Sequence, residues 1–366
     1  MKNKQVNNVI LGGLCALIAF CSFMLISQDF LIEAALASAR LATGEVPEVT
    51  VPPEEEKIDL NRKTDIFEEL INFSAPDYSE QEFDTEEETD IGEEQLNEPE
   101  TTGDGRIIRK TYEYETSASC RELPFGGLLR NNTDIDTDYL LDQCLREPNV
   151  DIHIDDEPLV LIMHTHTTEC YEDTAKETYS AQDEQRTTDL SRSVVAVGEV
   201  IANKLEEKGI GVIHDVVMHD YPNYNGAYDR SSERVEEVLA EYPSIQIVLD
   251  VHRDAIESDG VRYAPVATID GKSCAQVMII CGNVNVPQYR YNLRFASRLQ
   301  SKMETLYPGL TRPLLFSERN YNQELTKNSF LIEMGSNSNS LDEALYAGEL
   351  VGVALAELIM ELDTDF

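Results

Sequence analysis

The sequence predicts an α/β fold over residues 106–366, a mostly parallel sheet flanked by helices, preceded by one transmembrane helix and a disordered acidic linker. Three observations predict it. From Leu159 onward, apolar runs of strand length alternate with amphipathic runs at helical spacing. Leu159 to Met163 is apolar at every position, the pattern of a strand covered on both faces. Histidines and acids gather where such runs end, and open α/β sheets carry their sites at the carboxyl ends of strands.

The membrane end comes first. Val9 to Ile26 holds 18 residues without a charge, which at ~1.5 Å per residue nearly spans a hydrocarbon core of about 30 Å. Lys2 and Lys4 precede it, so residues 1–8 are expected in the cytoplasm, 9–27 as the anchor, and everything beyond outside the membrane. Ala37-Ser38-Ala39 fits a cleavage pattern, but the apolar run is longer than a signal peptide's and the triplet lies far downstream. An uncleaved anchor is the favoured reading. Residues 28–105 then form a spacer. Within it, residues 45–104 carry 22 acids against three bases (Lys57, Arg62, Lys63), a composition that repels itself and buries no core.

Order is expected from Arg106. A strand-like RIIRKTYEYE, Gly126-Gly127 and an amphipathic LLDQCL around Leu140 make a lead-in at 106–158. After the strand at Leu159 to Met163, Val194, Val195, Val197, Ile201 and Leu205 recur at helical spacing behind a Thr188/Asp189 N-cap, and Gly209 stops the helix. A strand at Gly211 to Val217, a helix at Ser231 to Glu241 capped by Ser231 or Ser232, and a strand at Ile245 to Val251 follow. Asp270-Gly271, between Val261–Ile269 and Ala275–Cys281, reads as a hairpin turn. A helix from Tyr289 to Leu306, a strand from Phe330 to Met334 and a helix from Leu341 to Leu362 close the chain.

Charge narrows the function. The chain has 69 Asp and Glu against 29 Lys and Arg, a formal net charge of −40. That balance excludes a nucleic-acid binder, which needs clustered bases, and attraction to an anionic membrane surface. Beyond the anchor, Cys120, Cys144, Cys170, Cys274 and Cys281 show no CxxC or metal-ligand spacing and read as free buried thiols.

The strand ends carry the chemistry. The first reads His164-Thr165-His166-Thr167-Thr168-Glu169, the third Asp250-Val251-His252-Arg253-Asp254, the last Ile332-Glu333-Met334. His166 and Glu169 form H-x-x-E, and with His252 they offer two imidazoles and a carboxylate, the donor set of a catalytic zinc with an open position for water. Glu333 is the candidate proton carrier. Asp250 or Asp254 is placed to orient a ligand histidine, and Arg253 to stabilise an oxyanion. His164 is the rival to His166, otherwise a donor that supports a ligand from behind or faces substrate, and Asp189 is the rival to Glu169. Arg319, Asn320 and Asn322, in RNYNQEL at 319–325, suit recognition of carboxylates and amides.

These same segments resemble a known family. LVLIMHTHTTECY at 159–171, RTTDLSRSVVAVGEVIANKLEEKGI at 186–210, IVLDVHRDA at 247–255, RNYNQEL at 319–325 and FLIEMGSNSNSLDEA at 330–344 are similar to the stage II sporulation protein P family, as is the lead-in at 126–148. The resemblance implies the fold of zinc amidases and carboxypeptidases. It implies a membrane-anchored, Zn2+-dependent hydrolase of peptidoglycan that cuts the N-acetylmuramoyl-L-alanine amide, with cross-bridge endopeptidase activity also attributed, during forespore engulfment. It places His166, Glu169 and His252 on the metal and Glu333 as the catalytic carboxylate. It implies stage II sporulation proteins D and M as partners at the sporulation septum. Cys170 stands where a small polar residue is expected. A metallo-carboxypeptidase or endopeptidase acting on stem peptides would use the same residues, and a non-catalytic module that recruits a hydrolase is the reading from another class.

Overall fold

The computed structural model describes residues 105–363 apart from 156, 181, 182 and 184. The expected cytoplasmic tail, anchor and spacer, up to residue 104, lie outside the described residues. Among the described residues, no helix is long and apolar enough to cross a membrane.

In chain order the strands are β1 (Gly105–Lys110), β2 (Cys120–Glu122), β3 (Leu128–Asn132), β4 (Pro158–Met163), β5 (Thr178–Tyr179), β6 (Gly211–His214), β7 (Ile247–Asp254), β8 (Glu257–Ser258), β9 (Val261–Ile269), β10 (Lys272–Ala275), β11 (Val277–Gly282), β12 (Leu314–Ser317) and β13 (Ser329–Ser336). The helices are α1 (Thr137–Cys144), α2 (Val194–Glu206), α3 (Ala227–Glu241), α4 (Tyr289–Leu306) and α5 (Leu341–Leu362). Eight strands form the main sheet in the order β2-β3-β12-β11-β13-β7-β4-β6. Only the β2/β3 and β11/β13 pairings are antiparallel, so the sheet is mixed, with its parallel part as expected. A smaller sheet runs β10-β9-β1-β5, with β8 on β9.

The apolar run of β4 is buried on both faces for a visible reason. Val160 and Ile162 enter the large core beneath α1, α2, α4 and α5, while Leu161 and Met163 meet Val235 and Val238 of α3 on the other side. Each such buried aliphatic side chain contributes about 1.5–3 kcal/mol. Glycines let two helices close up: a Cβ on Gly352 of α5 would stand 2.7 Å from the Lys204 side chain of α2.

Several expectations move. α2 starts at Val194, because the Ser193 hydroxyl accepts from Val195 N at 3.2 Å; Asp189 instead caps a short 3₁₀ turn at Leu190–Arg192. α3 begins four residues before Ser231, at a left-handed Gly226 with φ 78°, since the Ser231 hydroxyl is spent on Thr165 and the Tyr228 carbonyl. The hairpin around Asp270-Gly271 pairs β9 with β10 only. Past Gln276 the same arm crosses into the main sheet as β11. β2, β3 and β12 are strands that periodicity did not signal, being short and only partly apolar.

Candidate metal and hydrolytic site

Side-chain alternation decides which strand-end residues meet. On β7, Val248 packs on the α3 side, so Asp250 and His252, two and four residues on, project to that same side. On β13, Ile332 and Met334 enter the large core, which turns Glu333 to the α3 side. Glu333 is also the register partner of His252 in the parallel β7/β13 pair. Immediately after it the register slips between Glu333 and Ser336, and Gly335 has φ 73°. Such a bulge ends the pairing and re-aims the chain beside a site.

On β4 the same parity sends His164 the other way. Its Nδ1 lies 3.0 Å from the Val251 carbonyl and its Nε2 2.9 Å from His214 Nε2, against Gly198 of α2. Burial first, and then His214, pull its pKa down to about 3. His164 is therefore a buried packing and hydrogen-bonding residue and does not face substrate. The chain turns after Met163 and brings His166 back to the α3 side, with its ring 5.3 Å from that of His252.

Around His252 two buried carboxylates gather. Glu169 Oε2 is 3.4 Å from His252 Nδ1 and accepts from Arg253 N at 3.1 Å. Asp250 Oδ1 is 2.9 Å from His252 Nε2, an ion-pair contact outside hydrogen-bond geometry. Asp250 is itself fixed by Thr165, whose backbone N donates to Oδ1 at 2.9 Å and whose hydroxyl donates to Oδ2 at 2.7 Å. Burial opposes a charge on His252, yet the Asp250 and Glu169 carboxylates outweigh it and raise its pKa well above the usual value. Burial alone would raise the Glu169 pKa, but Arg253 and His252 hold it well below the carboxylate range. His166, dominated by burial, is pulled down to about 4. For Glu333 burial, reinforced by the charge of Asp254, pushes the pKa well up, and its Oε2 is buried without a hydrogen-bond partner.

These residues can be tested against a divalent ion. Among the described residues no group of three His, Cys, Asp or Glu closes around one point as it stands. The chemistry of the donors nevertheless fits. His166 Nδ1 is buried with no hydrogen-bond partner, Asp220 Oδ2 lying 4.0 Å away, and 3.4 Å between His252 Nδ1 and Glu169 Oε2 is about the separation of two donors on one tetrahedral ion at ~2.1 Å. Two buried carboxylates about one imidazole also call for positive charge, which a proton or a metal would supply.

Other expected residues do different work. The Arg253 guanidinium is buried and donates to the carbonyls of Cys170 at 3.2 Å and Gln185 at 2.6 Å, so it pins the 170–185 segment and is not aimed at an oxyanion. Asp254 pairs with Arg312 at 2.8 Å and not with a histidine; Asp250 takes that place. Asp189 is exposed and accepts from Ser191, away from Glu169's position beside His252. Asn320 and Asn322 tie their loop to neighbouring segments, donating to the Val284 and Tyr228 carbonyls, and Arg319 is exposed. Cys120, Cys144, Cys170, Cys274 and Cys281 are all buried, as expected, and form no disulfide among the described residues.

The sequence reading passed over an aromatic wall. Tyr224 stacks on His166 with centroids 4.7 Å apart and its hydroxyl 3.2 Å from Nε2, and Arg186 lies 4.4 Å over the Tyr224 ring. Arg186 also grips Asp220 at 2.6 Å, which accepts from the Thr168 hydroxyl at 2.7 Å. Tyr228 meets His166 edge-on at 5.5 Å. The NYNGAY run at 223–228 held the signal: two tyrosines four apart at a glycine-started helix.

Two imidazoles, His166 and His252, and two carboxylates, Glu169 and Glu333, are thus gathered at the strand ends of one open α/β sheet. Residues 44–359 match the stage II sporulation protein P family, and the chain belongs to it. Stage II sporulation protein P of Bacillus subtilis (strain 168) is 30% identical over 220 residues, covering 57% of this chain, which spans about half (53%) of that relative's length. Among solved structures the chain is similar to the CwlD amidase from Clostridioides difficile in complex with the GerS lipoprotein (13% identity, 56% of this chain and 100% of that one, TM-score 0.37). It is also similar to the N-acetylmuramoyl-L-alanine amidase AmiC2 of Nostoc punctiforme (12% identity, 56% and 96%, TM-score 0.34).

Proposed function

We propose that this chain is a sporulation peptidoglycan hydrolase that cuts the N-acetylmuramoyl-L-alanine amide. The observation that carries the reading is Glu333, a buried carboxylate with an unpartnered Oε2, in register with His252 and on the same side of the sheet. Zinc is the proposed cofactor, with His166, Glu169 and His252 as the residues that would hold it; when bound it would polarise the scissile carbonyl and acidify water.

The chain's own residues do the rest. Glu333, as the carboxylate, would take a proton from the attacking water and pass it to the leaving amine. Asp250, locked by Thr165, fixes the His252 ring. Arg253, through Cys170 and Gln185, keeps Glu169 and the segment after it in place. The N-terminal run at 9–27 is proposed as the anchor, with the N-terminus cytoplasmic, and residues 28–105 as the tether that lets the domain reach the wall. Stage II sporulation proteins D and M are the proposed partners.

Digestion of purified cell wall by the chain, with and without chelator, tests the reading. Release of glycan with free lactyl ends, abolished by chelator and by Glu333→Gln, is expected. Trimmed stem peptides with intact glycan–peptide amides would replace the amidase reading by a peptidase one, and no release would overturn both.

A further inference from the structure

Four rings stand in a row across the strand ends. From His252 to His166 to Tyr228 to Tyr321, successive centroids are 5.3, 5.5 and 6.3 Å apart. Tyr228 is the second residue of α3, and its place is fixed with unusual care. Asn322 Nδ2 donates to the Tyr228 carbonyl at 2.7 Å and to Ser231 Oγ at 3.0 Å. Ser231 Oγ shares a hydrogen bond with Thr165 Oγ1 at 2.9 Å, and Thr165 holds Asp250 beside His252. One polar chain thus ties the backbone of Tyr228 to the histidine that the hydrolase reading places on the metal.

The loop that reaches over to Tyr228 is strained. Tyr321 and Asn322 are consecutive non-glycine residues, both with φ 55°, a left-handed conformation costing about 1–2 kcal/mol each. Such strain persists where the surroundings over-determine it, and it clusters at working sites. Here Asn322 N donates to Asn320 Oδ1 at 2.8 Å, and the Asn322 side chain holds α3. The result is to lay the Tyr321 ring against Tyr228.

The Tyr228 hydroxyl itself is left over. Its backbone carbonyl is fully engaged, but its phenol O–H has no hydrogen-bond partner among the described residues. The hydroxyl is thus an open donor on a half-buried ring packed between His166 and Tyr321.

We propose that Tyr228 is a further catalytic residue, its phenol O–H donating a hydrogen bond to the carbonyl oxygen of the scissile amide. The inference rests on the hydrolase reading above. As water adds, its oxygen bonds to the carbonyl carbon and the C=O π pair moves to oxygen, where Tyr228 meets the developing charge. Glu333 takes the water's proton. On collapse the C=O bond reforms, the C–N bond breaks and the proton goes to the amine; Tyr228 keeps its own proton throughout. Tyr321 is a positioning residue that holds the Tyr228 ring.

The test uses the full chain and a defined muropeptide. Removing one oxyanion donor typically lowers kcat by about 10²–10³. Tyr228→Phe is expected to show that loss with KM within twofold, metal content and thermal midpoint unchanged. Affinity for a tetrahedral phosphinate analogue should fall in parallel while product affinity stays. Tyr321→Phe, which keeps the ring, should retain turnover that Tyr321→Ala loses. A Tyr228→Phe chain that keeps kcat within threefold, or whose loss follows metal content or thermal midpoint, overturns the proposal. So does an equal loss in Tyr321→Phe, which would move the role to that residue. A wild-type chain without turnover overturns the hydrolase reading and this inference with it, whereas equal turnover by wild type and Tyr228→Phe overturns this inference alone.

Discussion

Glu343 offers a sharp test of how the small sheet is fastened to α5. It is the third residue of α5, buried, and completes a capping box in which Ser340 N donates to its Oε2 at 3.1 Å. The same carboxylate accepts from Ser273 of β10 at 2.5 Å and from Asn339 Nδ2 at 3.2 Å, and pairs with Arg109 of β1. One side chain thus joins β1, β10, α5 and the loop that follows Glu333. Arg109 Nη1 is already buried without a partner, so no second acceptor is at hand when Glu343 is removed. Breaking one side of a buried ion pair costs about 3–5 kcal/mol, and a lost cap about 1 kcal/mol, with overlap between them. Glu343→Ala should therefore cost about 4 kcal/mol, a fall in thermal midpoint of roughly 8–12 °C, with Glu343→Gln losing about half as much.

The pH dependence has a definite sign. Burial opposes the charge on Glu343, but Ser273 and Arg109 outweigh it and lower its folded pKa. Its contribution is then complete above the unfolded value of about 4.5 and is lost as pH falls through the folded value. Urea titrations of wild type and Glu343→Ala at pH 7 and at successively lower pH measure it. The gap between them should narrow on acidification. A gap below 1 kcal/mol at pH 7, or one that does not change down to pH 3, would refute the reasoning.

Three further outcomes are expected. Gly198→Ala places a Cβ 2.7 Å from the His164 ring and 2.8 Å from His214, and should destabilise by about 1–3 kcal/mol in thermal melts. Arg253→Met leaves the carbonyls of Cys170 and Gln185 without their donor and should cost about 2–3 kcal/mol, with new protease sensitivity between 170 and 185 on limited proteolysis. His166→Ala should abolish zinc uptake measured by equilibrium dialysis, whereas His164→Ala should keep it while lowering the thermal midpoint, because the His164 ring lies with the Val251 carbonyl and His214.

What the sequence revealed, and what it hid, follow from one distinction. Strands buried on both faces and helices with a regular apolar stripe announce themselves, and α4 and α5 fall at the very residues expected. The strand ends were legible for the same reason: once β4, β7 and β13 are located, His166, Glu169, His252 and Glu333 must lie at their carboxyl ends. Parity was legible too, had it been used. His164 follows Val160 and Ile162 at period two and so belongs to the α2 side of the sheet, while a turn is needed to return His166 to the other. The roles of Arg253, Asp254 and Asn322 were not legible, since a guanidinium, carboxylate or amide can serve a backbone carbonyl as readily as a substrate. Only the fold brings the Cys170 and Gln185 carbonyls to Arg253, or Arg312 to Asp254.

The same distinction explains why Tyr228 escaped notice and why it matters. A tyrosine near a helix start has no spacing signature, and its neighbours His166 and Tyr321 lie 62 and 93 positions away. Its significance comes from contrast within one network. Asn322, Ser231, Thr165 and Asp250 are linked side chain to side chain, in a chain that ends at His252. The phenol carries no hydrogen bond among the described residues, and the loop packed against it accepts two left-handed residues, Tyr321 and Asn322. His166 Nδ1 and Glu333 Oε2 are likewise left without a hydrogen bond, so the strand ends hold an open ring nitrogen, an open carboxylate oxygen and an open phenol together, which is what the proposed chemistry asks of them.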